Sequence, residues 1–191
     1  MEERDTLEYL NLPTTLYNKI EENVVNLLTQ LNITSYPIDP TAIAIALGYE
    51  LIPYPHISDE DKLRFSIDEF DAISFFDSNR KVYKIYYKPD GLKERFRFTI
   101  AHEIGHIRMG HKCESELARR IADYYAAYLL APTPWISAAG CEDFADVAAE
   151  FSLSRKCAMR CFDRYLRWCE LSFTKKYERK LLLLLNNNKQ K

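Results

Sequence analysis

Phe96-Arg97-Phe98-Thr99-Ile100-Ala101-His102-Glu103-Ile104-Gly105-His106-Ile107-Arg108-Met109 is the stretch around which the rest of the chain organises. Its apolar and small residues recur with a helical period, which predicts one helix over about Leu92 to Met109. Within it stands His102-Glu103-Ile104-Gly105-His106, an H-E-x-x-H pattern. Residues four apart on a helix share a face about one turn from each other, so both imidazoles can reach a single Zn2+. Glu103, next to the first histidine, then points at a metal-bound water. The pattern therefore carries the parts of a water-activating site. A zinc ion acidifies water and polarises a scissile carbonyl, and Glu103 can take the water's proton and pass it to a leaving amine.

Working outward, a sheet is predicted before this helix and further helices after it. Glu50 to Tyr54 reads as one strand, and Asp71 to Phe76 with Val82 to Tyr87 as a hairpin turned through Asp77, Ser78, Asn79 and Arg80. Earlier still, Leu16, Ile20, Val24, Leu27, Leu28 and Leu31 share one helical face. A short helix follows, with Asp39 as cap, Pro40 at its first position and Gly48 at its end. Downstream of the loop Lys88-Pro89-Asp90-Gly91 and the H-E-x-x-H helix, a second long helix is predicted over about Glu114 to Leu130, stopped by Pro132 and Pro134. Shorter helices are expected near Glu142 to Phe151, Ser154 to Cys169 and Phe173 to Leu185, with a frayed polar end. The fold class is α+β: a helical core, a small antiparallel sheet and a C-terminal helical subdomain. The expected division is 1–135 for the core and 136–191 for the subdomain.

The run Arg97-Phe-Thr-Ile-Ala-His-Glu-Ile-Gly-His106, followed by Ala122-Asp-Tyr-Tyr-Ala-Ala-Tyr-Leu-Leu-Ala-Pro132, resembles the ImmA/IrrE family of zinc metallopeptidases. That family's motifs read R-F-T-[IL]-A-H-E-[IL]-G-H and A-[ND]-x-F-A-x-x-L-[LM]-x-P. Tyr36 to Gly48 is similar to the family's usual lead-in, and the likeness spans most of residues 16 to 170. It implies a zincin-like (gluzincin-like) core and a bound Zn2+. It further implies a protein substrate, a helix-turn-helix repressor of a mobile element or a stress response, so that the protein would be an anti-repressor endopeptidase.

One departure bears on the metal. The family's third ligand is a glutamate four residues before the [ND] of the second motif, and that position here is Arg119. A guanidinium cannot ligate zinc. Two carboxylates share the helical face, Asp123 one turn later and Glu116 three residues earlier. Asp123 is the preferred third ligand, with second-shell support of a histidine as its other role, and Glu116 is the substitute. If neither binds, the chain is a catalytically degraded member, a regulatory module that binds a repressor or DNA.

Other candidates carry less. His111, five residues past His106, is expected off the metal-binding face at the helix end. Cys113 is a nearby soft donor that is expected to pack. Tyr124 and Tyr125 could steady an oxyanion but Tyr125 is expected in the core. Cys157 and Cys161 lack a second pair and are expected to pack as well. Residues Phe144 to Phe162 have a helix-turn-helix pattern whose second helix bears Arg155, Lys156, Arg160 and Arg164. That part of the chain is basic: 11 Lys/Arg face 3 Asp/Glu from Arg155 onward, so a weak DNA contact is conceivable there.

Composition sets the remaining bounds. The 191 residues are 47% hydrophobic and 13% aromatic with 5 Gly and 8 Pro, which excludes a disordered or collagen-like chain. A net charge of −2 excludes a protein whose overall field draws nucleic acid or anionic membrane. Five cysteines, an odd number, and an acidic start without an apolar run point to reduced thiols in a cytoplasm. The longest apolar run, Leu181 to Leu185, is far short of the roughly 20 residues of a membrane span.

Overall fold

A computed structural model of the chain describes residues 12–57, 61, 71–89, 92–113, 115–171 and 174–188. The acidic start at 1–10, loop residues 90–91, the expected helix starts at 114 and 173, and the last residues 189–191 lie outside that set. The elements in chain order are α1 (Thr14–Gln30), α2 (Pro40–Ala46), β1 (Glu50–Pro53), β2 (Ala72–Asp77), β3 (Val82–Tyr87), α3 (Lys93–Met109), α4 (Glu116–Leu130), α5 (Thr133–Ala139), α6 (Phe144–Phe151), α7 (Arg155–Glu170) and α8 (Arg179–Asn188). The protein is α+β, and its described residues are mostly helical with one three-stranded sheet.

The local signals act as their chemistry requires. Asp39 accepts a hydrogen bond from the Thr41 amide at 2.9 Å with Pro40 in the first turn of α2. Ser115 caps α4 through the Ala118 amide at 3.1 Å, and Asp143 caps α6 through the amides of Ala145 and Asp146. In the hairpin turn, Asp77 accepts from the amides of Asn79 (3.0 Å) and Arg80 (3.1 Å). Pro132 and Pro134 do end α4, yet they also open α5, a helix the sequence reading omits. Proline is tolerated in a first turn, where its missing N–H has no helical acceptor to lose.

The sheet is mixed rather than wholly antiparallel. β2 and β3 pair antiparallel, with Ala72 opposite Tyr87 and Asp77 opposite Val82. β1 joins the other side of β3 in parallel, Glu50 opposite Lys84. The order β1-β3-β2 makes β3 the central strand. The segment between β1 and β2 is long enough to carry the chain across to the far edge, which a parallel pairing needs.

One apolar core runs through both expected units. Ile20, Val24, Leu27 and Leu28 of α1 pack with Ile100 and Ile104 of α3, most of α4, Trp135 and Ile136 of α5, and Leu181 of α8. The chain beyond residue 135 is also tied back by polar bonds: Trp135 Nε1 donates to the Leu181 carbonyl at 2.9 Å, and Lys175 Nζ and the Tyr177 hydroxyl donate to Glu21 Oε2 at 2.6 and 2.7 Å. The boundary expected at 135/136 thus falls inside a shared core. Among the described residues, no helix is long and apolar enough to cross a membrane.

The close crossing of α3 and α4 positions the site. A side-chain carbon on Gly105 would stand 3.0 Å from Tyr125 Cβ and 3.2 Å from Ala122 Cα, so only glycine admits this approach. Tyr125 and Ala122 are fully buried behind it.

Candidate metal centre

His102, Glu103 and His106 project from α3 into a cleft of about 690 Å³ whose opposite wall is β2 from Ala72 to Phe75. Arg95, in the first turn of α3, is ion-paired with Asp71, the residue before β2. The Nε2 atoms of His102 and His106 face each other at 3.0 Å. The edge of a tetrahedron built on Zn–N bonds of about 2.0–2.1 Å is roughly 3.3 Å, so the pair is spaced to grip one cation through both Nε2 atoms. His106 is buried, and that burial, reinforced by the imidazoles of His102 and His111, pushes its pKa down to about 3. The ring is neutral at ordinary pH, as a metal ligand must be.

Asp123 lies on the far side of His102. Its Oδ1 is 2.8 Å from Nδ1, the ring nitrogen turned away from the Nε2 pair. In this structure Asp123 therefore occupies the supporting position rather than the preferred third-ligand position: it accepts the Nδ1 hydrogen and leaves Nε2 bare. The reason lies in the crossing of α3 and α4, which brings the first turn of contact past Gly105 alongside the ring instead of over its tip. Glu116, the substitute, is not placed at the imidazole pair in this structure. It is exposed and paired with Arg120 at 2.5 Å, one turn along the same helix. Arg119 lines the cleft itself, at the position where the ImmA/IrrE pattern has a carboxylate. Among the described residues, no group of three or more His, Cys, Asp or Glu is arranged to hold a metal ion. The residues that would hold a metal are His102 and His106, whose two imidazoles fit a cation such as zinc.

His111 falls at the helix end and off the Nε2 pair, as the sequence reading expects. Just before it, Gly110 takes a left-handed conformation (φ 73°) and turns the chain back. The His111 amide donates to the His106 carbonyl at 3.0 Å, and its Nδ1 lies 3.1 Å from His106 Nδ1. The glycine after the last periodic residue was the signal that could have found this return. Cys113 lines the cleft and is exposed instead of packed.

The remaining candidates are structural. Tyr125 is in the core, and the Tyr124 hydroxyl turns away from the cleft to donate to Glu21 Oε1 at 2.6 Å. Cys157 and Cys161 are buried side by side, and the hydrogen bond with the Cys161 thiol, together with burial, holds Cys157 well above the usual thiol range. Residues Phe144 to Phe162 do form a helix-turn-helix: α6, a three-residue turn with Ser152 at φ 50°, then α7. Val147, Phe151, Leu153, Ala158 and Cys161 are its buried face. Arg164 leaves the expected basic surface. Its guanidinium donates to Thr133 Oγ1 at 3.0 Å and the Ala131 carbonyl at 2.6 Å and lies over the rings of Tyr124 and Tyr128.

Arg97 is a structural residue that the motif alone does not explain. It is buried and donates to the carbonyls of Ile38 (2.6 Å), Phe151 (2.9 Å) and Ser152, tying α3 to the lead-in of α2 and to the turn before α7. Burial lowers its pKa, with partial offset from Asp39 and Glu94.

An H-E-x-x-H helix crossed by a second helix, with a sheet strand along its cleft, defines the metallopeptidase-like class of α+β domains. The profile described as the IrrE N-terminal-like domain of peptidase family M78 matches residues 59–160, more than half of the chain, and the protein belongs to that family. No curated protein matches the chain.

Proposed function

We propose that the protein is a zinc-dependent endopeptidase that cuts a helix-turn-helix transcriptional repressor. The observation that carries the catalytic part is the 3.0 Å approach of two bare-capable Nε2 atoms inside a cleft walled by a strand edge. His102 and His106 would hold the metal. When bound, it supplies Lewis acidity to a scissile carbonyl and acidifies a water. Glu103, buried at 7% exposure in the same cleft, takes the proton of the attacking water and returns it to the leaving amine. Asp123 keeps His102 in the tautomer that leaves Nε2 free.

The substrate enters extended. Among the described residues β2 pairs with β3 on one side, and its residues line the cleft, so β2 is the strand to which a peptide adds. A repressor as substrate is supported by membership in the M78 family and the likeness to ImmA/IrrE motifs. Selective regulatory cleavage also suits a protease that shares a compartment with other proteins.

A second reading is favoured by Arg119, a cation on the cleft wall where a ligand carboxylate is usual. On that reading the chain is a non-catalytic module that binds a repressor or DNA. Its α6 face exposes Glu142, Asp143, Asp146 and Glu150 beside Arg155 and Lys156 of α7, a mixed charge that suits a protein surface better than a phosphate backbone.

The deciding experiment treats a cell lysate with the zinc-loaded protein or with its Glu103→Gln variant and maps new protein N-termini by mass spectrometry. A small set of new termini inside DNA-binding regulators, formed only by the wild type, is expected. Zinc bound at one equivalent with no new terminus would overturn the peptidase reading in favour of the module.

A further inference from the structure

We propose that Arg119 and Lys112 form a specificity subsite for an acidic side chain of the bound peptide, so that cleavage falls close to an aspartate or glutamate. The inference rests on the cleft being where a peptide lies, and it deepens that reading to a class of substrate sequence.

The charges that line the cleft are unevenly placed. At the end near the start of α3, Arg95 and Asp71 are paired and offset each other. Glu103 stands between the two histidines of the motif, where the attacking water is to be activated. Past His106, at the end formed by the start of α4 and the turn after α3, Lys112 and Arg119 are exposed on the wall. Among the described lining residues Asp71 and Glu103 are the carboxylates, and neither lies at that end. A peptide that fills the cleft therefore meets two cations there.

Their position relative to the scissile bond follows from the helix pair. The short connection from Met109 to Glu116 makes α3 and α4 antiparallel neighbours. Asp123 meets His102, so Arg119, one turn back along α4, stands on the side of His106, one turn on along α3. A turn is about 5.4 Å. Lys112 follows His111, whose Nδ1 is 3.1 Å from His106 Nδ1. On an extended chain that rises about 3.3 Å per residue, such offsets correspond to a side chain roughly two or three residues from the bond that is cut.

The chemistry selects a carboxylate. A guanidinium carries five donors in a planar fork, so Arg119 can take a carboxylate on one edge while its other donors keep their own partners. Lys112 adds a second positive charge. A basic side chain at the same place meets like charge, which is how such a subsite rejects as well as selects. The edge of β2 holds any peptide backbone alike, and the cations distinguish one sequence from another.

The test selects displayed random peptides of about ten residues on the zinc-loaded Glu103→Gln protein, which keeps the cleft but lacks the proton acceptor. The same selection is run on that protein with Arg119→Gln, Arg119→Lys or Lys112→Gln added; both positions are exposed, so the fold should survive. We expect an aspartate or glutamate at one fixed position of the selected peptides. A selected peptide should bind at least about three-fold more tightly than its glutamine counterpart, and the difference should shrink in about 0.5 M salt. Arg119→Gln should abolish the preference and Arg119→Lys retain part of it. Selected peptides without a fixed acidic position, a preference unchanged by both glutamine variants, or no selected peptide at all would overturn the proposal. Wild-type cleavage sites in the lysate, aligned beside the selected peptides, separate the two readings. A fixed acid in the peptides with no cleavage by the wild type upholds the subsite and refutes the peptidase. Cleavage at sites without a nearby acid does the reverse.

Discussion

His102 Nδ1 and Asp123 Oδ1 are 2.8 Å apart, a polar contact between the H-E-x-x-H helix and the helix that crosses it. It turns one imidazole toward its partner and makes the Asp of the second motif an orienting group. The two roles open to Asp123, ligand or support, make different demands on its charge, and that difference can be measured.

Asp123→Asn keeps an oxygen that accepts from Nδ1, whereas Asp123→Ala removes it. The alanine variant is expected to lose roughly 10–100-fold in zinc affinity, with the asparagine variant nearer to wild type. Equal losses in both would mean that the carboxylate itself ligates metal. Chelator competition on the two proteins separates these cases, and Glu116→Ala, already engaged with Arg120, should leave affinity unchanged.

Glu103→Gln removes the proton acceptor without changing the imidazole pair. Cleavage of the identified substrate should fall by at least about 100-fold, the scale of general-base catalysis, while zinc stoichiometry holds. Retained cleavage would take Glu103 out of the mechanism.

Arg119→Glu replaces a cation on the cleft wall by a carboxylate. Zinc should bind about ten-fold or more tightly, since one ligand is gained and one repulsion removed. Isothermal titration is the check, and unchanged affinity would show that position 119 does not reach the metal.

Gly105→Ala would force its new carbon against Tyr125 Cβ and the Ala122 backbone. Neither is the far end of a flexible side chain, so α4 must move. A loss of about 1–3 kcal/mol in urea unfolding is expected, together with weaker zinc binding because Asp123 travels with α4.

Arg97→Met should cost about 3 kcal/mol, because the backbone carbonyls of Ile38, Phe151 and Ser152 lose a charged donor in a buried place. The same urea titration reads it. A change below about 0.5 kcal/mol would mean that water replaces the guanidinium there.

Much of this was legible in the chain before any coordinates. The four-residue spacing of His102 and His106, the Asp39 cap and the apolar face of α1 are local signals, and local backbone geometry realises them directly. The second long helix could be read for the same reason, although the role of Asp123 on it could not. Whether a carboxylate reaches the tip or the flank of an imidazole depends on how closely two helices cross, and that distance is set by Gly105 against Tyr125 and Ala122. Likewise, the place of β1 beside β3 depends on where the intervening chain crosses.

By itself, then, the sequence determined the α+β class, the helix that bears His102, Glu103 and His106, and the motifs that mark the M78 family. Those follow from periodicity and spacing within single elements. Only the tertiary structure decided that β2 is the strand along the cleft, that Asp123 supports His102, that His111 returns to His106, and that residues beyond 135 share the core of α1. Each is a contact between groups separated along the chain, and packing distance, which no local pattern encodes, selects among the alternatives that the residue types allow.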